Sequence, residues 1–182
     1  GAAAAAAIAE ILGVEVESDE KIAFIACRGT RENTKTKYGY EGIQSCLAAG
    51  MLYSGPLECE YGCLGFGDCA RVCPFGAITV KDGRPNVCRD ICTGCGKCTA
   101  VCPKRLISLV PKGVKAAAAC SNRQKGAAVV KACGVSCIAC KMCEKVCESG
   151  AVKVTDNVAV IDYSLCTGCG KCKTACKRKV II

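Results

Sequence analysis

The residues whose chemistry stands out are the cysteines, which number 21 in a chain of 182 residues without histidine or tryptophan. One run of four follows the spacing C-x2-C-x2-C-x3-C: Cys166, Cys169, Cys172 and Cys176. Four thiolates this close in sequence suit a cubane iron–sulfur cluster, with three from one tight loop and the fourth from the helix that follows. The heptapeptide CTGCGKC recurs at residues 92–98, and Cys102 completes that second run.

The two runs belong to a tandem duplication with an offset of 74 residues, the distance from Cys92 to Cys166. Residues 46–108, the first half, correspond without a gap to residues 120–182, the second half. Nine cysteines of the first half thereby match nine of the second: Cys46, Cys59, Cys63, Cys69, Cys73, Cys92, Cys95, Cys98 and Cys102 match Cys120, Cys133, Cys137, Cys143, Cys147, Cys166, Cys169, Cys172 and Cys176. Cys27, Cys88 and Cys140 have no cysteine partner, and Cys140 corresponds to Phe66.

The cysteine spacing argues against the two other common uses of many cysteines. Disulfide scaffolds scatter their cysteines to join loops, whereas neighbours at x2 and x3 spacing are too close to pair well. Zinc ribbons use pairs of C-x2-C, not runs of four that end in x3. The runs therefore indicate iron–sulfur clusters, and they predict a reducing compartment.

The formal charge of +9 is a feature that nucleic-acid-binding proteins share. A four-iron cluster with four thiolates carries a net negative charge of roughly two or three, so four clusters would offset most of that charge. The longest basic run is only Lys177-Arg178-Lys179, and aromatic residues make up 4% of the chain. We therefore expect no nucleic-acid partner, and within these residues neither a transmembrane segment nor a signal peptide.

The spacing between runs is that of the two-cluster bacterial ferredoxin fold, used twice. We predict an α+β chain of two tandem ferredoxin-like modules, each preceded by a short strand–helix segment. The strand is expected at residues 21–27 and 115–120, and the helix at residues 43–52 and 126–132. Each cysteine run leads to a further strand, and Asp82-Gly83 and Asp156-Asn157 predict hairpin turns. The expected divisions are 1–20 as the tail of a preceding domain, 21–58 as lead-in, 59–110 as module 1, 111–132 as linker and lead-in, and 133–182 as module 2.

In such a ferredoxin, the fourth cysteine of each run binds the cluster of the other run. Three complete ligand sets follow from this rule: Cys137, Cys140, Cys143 with Cys176; Cys166, Cys169, Cys172 with Cys147; and Cys92, Cys95, Cys98 with Cys73.

The fourth set is incomplete, because Phe66 stands where Cys63, Cys69 and Cys102 need a partner. We expect Cys59 to be the substitute ligand, which gives four [4Fe-4S] clusters. The alternatives are a three-iron cluster, or a cysteine from elsewhere such as Cys27 or Cys46.

The remaining cysteines have no assigned ligand role. Cys27, Cys88, Cys120 and Cys133 are expected to be buried thiols that pack like small apolar side chains. For Cys120 and Cys133, an additional cluster or a redox-active thiol pair stays open.

Several longer stretches carry a more specific resemblance than the cysteine runs. They are IAFIACRG at 22–29, YEGIQSC at 40–46, CEYGCLGFGDCARVCPFGAI at 59–78, CTGCGKCTAVCP at 92–103, CSNRQKG at 120–126 and CGVSCIACKMCEKVC at 133–147. With them the chain resembles the B-subunit family of the Rnf electron-transport complexes, in the longer form typical of anaerobes.

The resemblance implies a part of a membrane-associated complex that passes electrons between ferredoxin and NAD and couples this transfer to ion pumping. The implied partners are ferredoxin, flavin- and NAD-binding subunits and membrane subunits, at the cytoplasmic face of the membrane. Family members carry an N-terminal membrane anchor and a further cluster domain, so we expect both to be missing here. The chain has no dinucleotide-binding fingerprint, and we expect no catalytic residues. The alternative is an electron-relay subunit of another complex, of the hydrogenase or 2-oxoacid oxidoreductase type.

Overall fold

A computed structural model describes Ile11, Gly13 and residues 20–182. The helix end expected over residues 1–15 lies outside the described residues, as does most of the tail expected over 1–20. Within the described part, short helices alternate with short strands. The predicted mixture of small α and β elements is confirmed.

The elements follow one another in nearly the same order in both halves. The strands are β1 (Lys21–Ile25), β2 (Ile78–Lys81), β3 (Arg84–Val87), β4 (Ile107–Pro111), β5 (Val152–Thr155) and β6 (Val158–Ile161). The helices are α1 (Cys46–Met51), α2 (Asp68–Arg71), α3 (Lys97–Val101), α4 (Ala127–Ala132), α5 (Met142–Lys145) and α6 (Lys171–Ala175).

The strands form three antiparallel pairs: β2 with β3, β5 with β6, and β1 with β4. The first two pairs are hairpins whose two-residue turns have positive φ at both positions, 53° and 73° at Asp82 and Gly83, and 48° and 65° at Asp156 and Asn157. These turns match the right-handed twist of the flanking strands. The hairpins predicted at both sites are therefore confirmed.

The third pair, β1 with β4, joins the lead-in segment to the end of the first half, with Ile25 opposite Ile107. The second half has a shorter equivalent. Ala118 is bridged to Ile181, and Ala117 and Ile182 exchange two backbone hydrogen bonds of 3.0 Å. The strand expected over 115–120 is thus present only as this short ladder.

Two buried cores organise the molecule, one in each half. The core of the first half contains Ala23, Ile25, Ile78 and Ile107 around Cys69 and Cys98. The core of the second half contains Val152, Val158, Ile161, Val180 and Ile181 around Cys137, Cys143 and Cys172. Each core therefore packs its strands directly against thiols of the cysteine runs.

Each cysteine run places a one-turn helix between its third and fourth cysteines. The third cysteine lies inside the helix and is buried, as at Cys98 in α3 and Cys172 in α6. The fourth cysteine ends the helix: Cys102 and Cys176 are its C-terminal capping residues. The expectation that the fourth cysteine lies on the following helix is wrong, because three intervening residues span only one helical turn.

The loops ahead of these helices turn sharply through residues of positive φ. Gly94 and Gly96 flank Cys95 with φ of 69° and 77°, and Gly168 and Gly170 flank Cys169 with 71° and 76°. A Cβ at Gly94 would lie 2.3 Å from the carbonyl oxygen of Lys21 in β1. Here glycine is required both for the backbone angle and for the close approach of β1.

We predict that Gly94→Ala damages the protein more than Gly168→Ala. Both substitutions impose about 1–2 kcal/mol of left-handed backbone strain. Only Gly94→Ala adds a collision with backbone, since a Cβ at Gly168 meets nothing closer than the Lys115 side chain at 3.5 Å. Unfolding by guanidinium, followed by the loss of visible cluster absorbance, measures the difference. Equal midpoints for the two variants would contradict the close approach of β1 to this loop.

Candidate functional site

A first pocket in the first half is lined by the four thiols expected to act together. Cys73, Cys92, Cys95 and Cys98 line it, along with apolar side chains such as Ala23 and Ile78. The backbone N–H of Ala23 donates a 3.4 Å hydrogen bond to the Cys92 sulfur. Four thiols around an apolar pocket, with a backbone donor to one sulfur, form an environment suited to an iron–sulfur cluster.

A second pocket lies beside it, at the run that lacks a cysteine at Phe66. Its wall contains Cys63, Cys69, Cys102 and a fourth thiol, Cys46. Cys59, the expected substitute, is not among the residues that line this pocket. The structure thus differs from our expectation, because helix α1 brings Cys46 to the open corner while the Cys59 sulfur accepts a hydrogen bond from Asn122 in the second half.

Asp68 holds Cys46 at this corner. Its carboxylate accepts hydrogen bonds from the backbone N–H groups of Cys46 (3.0 Å) and Leu47 (3.2 Å) and from the Ser45 hydroxyl (3.0 Å). It thereby caps the N-terminus of α1 from outside the helix. Partial burial alone would raise the pKa of Asp68, but these hydrogen bonds and the Arg71 guanidinium outweigh it and lower that pKa. Asp68 precedes Cys69, so one residue links two of the four thiols.

The loop around Phe66 keeps the backbone of a cysteine-bearing loop. Gly65 and Gly67 flank Phe66 with φ of 77° and 83°, like the glycine pairs around Cys95 and Cys169. The Phe66 ring packs edge-on against Tyr40, with ring centroids 5.3 Å apart. The loop has therefore lost one thiol but not its shape.

In the second half, the buried core gathers the expected thiols into two groups. The Cys143 thiol lies close enough to Cys137 and Cys176 for electrostatic coupling, and the Cys172 thiol is coupled in the same way to Cys166 and Cys147. Cys140 and Cys169, the second cysteines of their runs, are exposed, as is Cys95 in the first half. Each group thus has buried thiols beneath and one thiol at the surface.

Burial alters the acidity of these thiols. It raises the pKa of Cys69 to about 11, with a smaller contribution from the neighbouring Cys46 and Cys102 thiols. Burial and the nearby Cys137 raise the pKa of Cys143 to about 11 as well. In the cluster-free chain these groups are therefore protonated at neutral pH. Metal binding must displace their protons.

Backbone N–H groups are directed at several of the sulfurs. Leu106 donates to Cys102 at 3.4 Å, and Val180, at the equivalent position, donates to Cys176 at 3.3 Å. Such donors stabilise negative charge on a thiolate and on a reduced cluster. The pairing of the two bonds across the repeat shows that both halves build this environment in the same way.

The thiols are not arranged for a single metal ion. Across residues 20–182, no group of three or more His, Cys, Asp or Glu side chains converges closely enough to hold one ion. The thiolates of one zinc ion must meet within about 4 Å of each other, since zinc–sulfur bonds are about 2.3 Å long. In a four-iron cluster each thiolate binds a different iron, so the sulfurs stand further apart. The arrangement fits clusters and not a zinc site.

Five cysteines lie outside the four groups. Cys59 and Cys133 are buried, Cys27 and Cys120 are half-buried, and Cys88 is exposed. The expectation of a buried thiol is therefore wrong for Cys88, which follows β3 at the edge of its hairpin. In the part of the chain that the structure describes, no helix has the length and apolar character needed to cross a membrane.

Comparison with known protein families supports the chemistry of these sites. A model described as a 4Fe-4S binding domain matches residues 63–77 and 92–105. A second model with the same description matches residues 158–181. Each half of the chain therefore contains a 4Fe-4S ferredoxin-type domain.

Three curated proteins are similar over nearly the whole chain. The B subunit of an ion-translocating oxidoreductase complex from Methanosarcina acetivorans is 41% identical over 96% of this chain and 67% of its own length. The B subunit of a proton-translocating ferredoxin:NAD(+) oxidoreductase complex from Clostridium ljungdahlii is 40% identical over 99% of this chain and 66% of its own. The corresponding subunit of a Na(+)-translocating complex from Acetobacterium woodii is 42% identical over 100% of this chain and 55% of its own.

The chain thus spans about two thirds of the first two relatives and little more than half of the third. The identity extends well beyond the cysteine runs, because it covers both halves and the segment before them. On this evidence the chain belongs to the B-subunit family of the ion-translocating ferredoxin:NAD oxidoreductase complexes, the Rnf family.

Proposed function

We propose that the chain relays low-potential electrons within a membrane-associated ferredoxin:NAD oxidoreductase complex, as an iron–sulfur part without an active site of its own. The observation that carries this proposal is the pair of neighbouring apolar pockets in the first half, each lined by four thiols. One such site would be enough to stabilise a small fold. Several sites packed side by side suit a relay.

We further propose that four [4Fe-4S] clusters are held in two ferredoxin-like modules, residues 59–110 and 133–182. The ligand sets are Cys73, Cys92, Cys95 and Cys98; Cys46, Cys63, Cys69 and Cys102; Cys147, Cys166, Cys169 and Cys172; and Cys137, Cys140, Cys143 and Cys176. Cys46 takes the place that Cys59 was expected to fill. A complete set of four thiols also removes the need for a three-iron cluster at Phe66.

When bound, such clusters supply reversible one-electron reduction at potentials that their surroundings tune. The chain's own residues supply those surroundings. The buried third cysteines and the apolar strands exclude water, while N–H donors such as Leu106 and Val180 stabilise the reduced form. Cys95, Cys140 and Cys169 reach the surface, where a partner protein can approach.

The partners in this proposal are ferredoxin, the flavin- and NAD-binding subunits and the membrane subunits of the same complex, at the cytoplasmic face of the membrane. The names of the relatives support them, since two of these relatives are subunits of ferredoxin:NAD(+) oxidoreductase complexes. Attachment to the membrane is assigned to a segment outside this chain. The direction of electron flow is a property of the whole complex.

We predict that Cys46→Ala converts one four-iron cluster into a three-iron cluster. Removing the thiol frees one corner iron, so the iron content falls by about one per chain and a new EPR signal appears in the oxidised protein. The matched control is Cys88→Ala, at an exposed cysteine outside every proposed set. Iron analysis and EPR after anaerobic preparation measure both effects.

A second substitution tests the same assignment by rescue. Because the loop around Phe66 keeps its turn, Phe66→Cys in the Cys46→Ala background should restore the four-iron cluster and remove the new EPR signal. If Cys46→Ala leaves the clusters unchanged, Cys46 is not a ligand. If the defect appears but Phe66→Cys does not repair it, the open corner of the cluster does not face Phe66.

We also predict that Cys95→Ser slows electron transfer from reduced ferredoxin, whereas Cys88→Ser leaves it within experimental error. Serine oxygen is a harder and poorer ligand for this iron than thiolate sulfur. Stopped-flow reduction of the chain by chemically reduced ferredoxin measures the rate. Equal rates for the two variants would remove Cys95 from the relay. Failure of the unmodified chain to accept electrons from ferredoxin would overturn the proposed function.

A further inference from the structure

Four cysteines outside the proposed sets come together between the two halves. They are Cys27, Cys59, Cys120 and Cys133. The exposed fractions of Cys59 and Cys133 are only 6% and 7%. Two of the four belong to the second half, one to the first half and one to the segment that follows β1, so no single cysteine run predicts their meeting.

The structure pairs Cys27 with Cys120, whereas the sequence repeat pairs Cys46 with Cys120. Ile25 lies opposite Ile107 in the sheet of β1 and β4, and Ala118 lies opposite Ile181 in the second half. Ile107 and Ile181 are equivalent in the repeat, so Ile25 corresponds to Ala118. Two residues further on, Cys27 then corresponds to Cys120.

The hydrogen bonds of these two thiols repeat the correspondence. The backbone N–H of Cys63 donates to the Cys27 sulfur at 3.4 Å, and that of Cys137 donates to the Cys120 sulfur at 3.3 Å. Cys63 and Cys137 are themselves equivalent in the repeat. Each of the two thiols thus receives the kind of N–H donor that the proposed cluster ligands Cys92, Cys102 and Cys176 receive.

Side chains from the second half reach directly to the other two segments. The Ser121 hydroxyl donates a 2.9 Å hydrogen bond to the carbonyl oxygen of Ala26. The Asn122 amide, whose exposed fraction is 1%, donates to the Cys59 sulfur at 3.3 Å. The segment that carries Cys120 is thereby fixed against both Cys27 and Cys59.

Residues 33–36 form a strap that brings Cys133 to the same place. On one side, Thr34 is bridged to Cys133 and the N–H of Gly134 donates to the carbonyl of Asn33 at 2.7 Å. On the other side, Thr36 is bridged to Leu57, two residues before Cys59. Cys59 and Cys133 therefore lie on the two flanks of one strap.

The electrostatics of the thiols agree with this convergence. Burial first, and then the neighbouring Cys27, Cys120 and Cys133 thiols, raise the pKa of Cys59 to about 11. Burial and Cys27 also raise the pKa of Cys133, while the Arg178 guanidinium lowers it. Arg178 donates to the carbonyl oxygens of Ser136 and Cys133, so a fixed positive charge stands beside the group.

We propose that Cys27, Cys59, Cys120 and Cys133 together hold a fifth iron–sulfur cluster of the four-iron class, between the two halves of the chain. Each half of the pseudo-symmetric arrangement supplies two thiols. Asn122 and the backbone of Cys63 and Cys137 supply donors to the sulfurs, and Arg178 supplies a charge that offsets an anionic cluster.

The other uses of four thiols fit less well. All 21 cysteines are free thiols, and among residues 20–182 no set of side chains suits a single metal ion. Thiols that merely fill space as small apolar groups do not need a buried amide and two backbone donors directed at their sulfurs.

Uptake of a preassembled [4Fe-4S]²⁺ cluster balances without a redox partner. Four thiols lose their protons to solvent, four iron–thiolate bonds form, and no electron is transferred. The site would also provide a redox centre shared by both ferredoxin-like halves. This role in the relay rests on the proposed function, whereas the site itself rests on the thiol geometry.

The first test is the iron content of the intact chain, prepared anaerobically. We expect about twenty irons per chain, and we expect Cys27→Ala/Cys133→Ala to lose about four of them. The control Cys88→Ala should lose none. Mössbauer spectra should show that the irons remaining in the double variant keep the parameters of the unmodified protein. A double variant with an unchanged iron content, or an unmodified chain with about sixteen irons, would overturn the proposal.

The second test does not depend on how well the double variant folds. Asn122→Ala removes a donor to the Cys59 sulfur but no ligand, so the iron content should stay unchanged. The midpoint of one cluster should move to a more negative potential in an EPR-monitored redox titration, because an N–H donor stabilises the reduced state. If no midpoint moves, Cys59 does not bind a cluster.

The two proposals can fail separately. Loss of iron from the double variant together with no electron transfer from ferredoxin would overturn the relay function and leave the fifth site assigned. Rapid reduction by ferredoxin of a chain with only sixteen irons, about four per proposed set, would do the opposite.

Discussion

The bond between thiolate and iron sets the terms on which this chain can fold. Each half has a small core, and its largest buried side chains are isoleucines and valines packed directly on cysteines. When the thiols are protonated, those cores bring together buried polarizable groups with few other anchors. When the thiols bind metal, each cluster joins segments that are distant in sequence. Ligation and folding are therefore the same event for most of the molecule.

This dependence explains the one-turn helices and left-handed turns that recur in the chain. A run of four cysteines must present its first three sulfurs from a single loop, so the backbone reverses at the residues on both sides of the second cysteine. Three runs use glycine there before the helix, and the fourth uses Ala139 and Lys141, with φ of 53° and 58°. The strain at those two residues is tolerated because the surrounding thiol set fixes the loop.

Much of this architecture could be predicted from the sequence, because it is local. Spacing within a run predicted the loops, the hairpin residues predicted their turns, and the repeat of 74 residues predicted the equivalence of the halves. The partner of the Phe66 loop could not be predicted in this way. Cys46 reaches its pocket only because Asp68 caps α1, a tertiary contact that leaves no pattern in the sequence.

The repeat was misleading at the same point. Aligned by sequence, Cys46 matches Cys120, but strand register matches Cys27 with Cys120. Once one loop exchanged its cysteine for Phe66, Cys46 and Cys27 could no longer both be placed by a single offset. The measurement that tests the central claim most directly is an anomalous-scattering map at the iron edge, from anaerobically grown crystals of this chain. The account predicts a compact iron peak against the Cys46 sulfur in the pocket that also contains Cys63, Cys69 and Cys102. A peak there that contacts only those three thiols, or no peak at all, would contradict it.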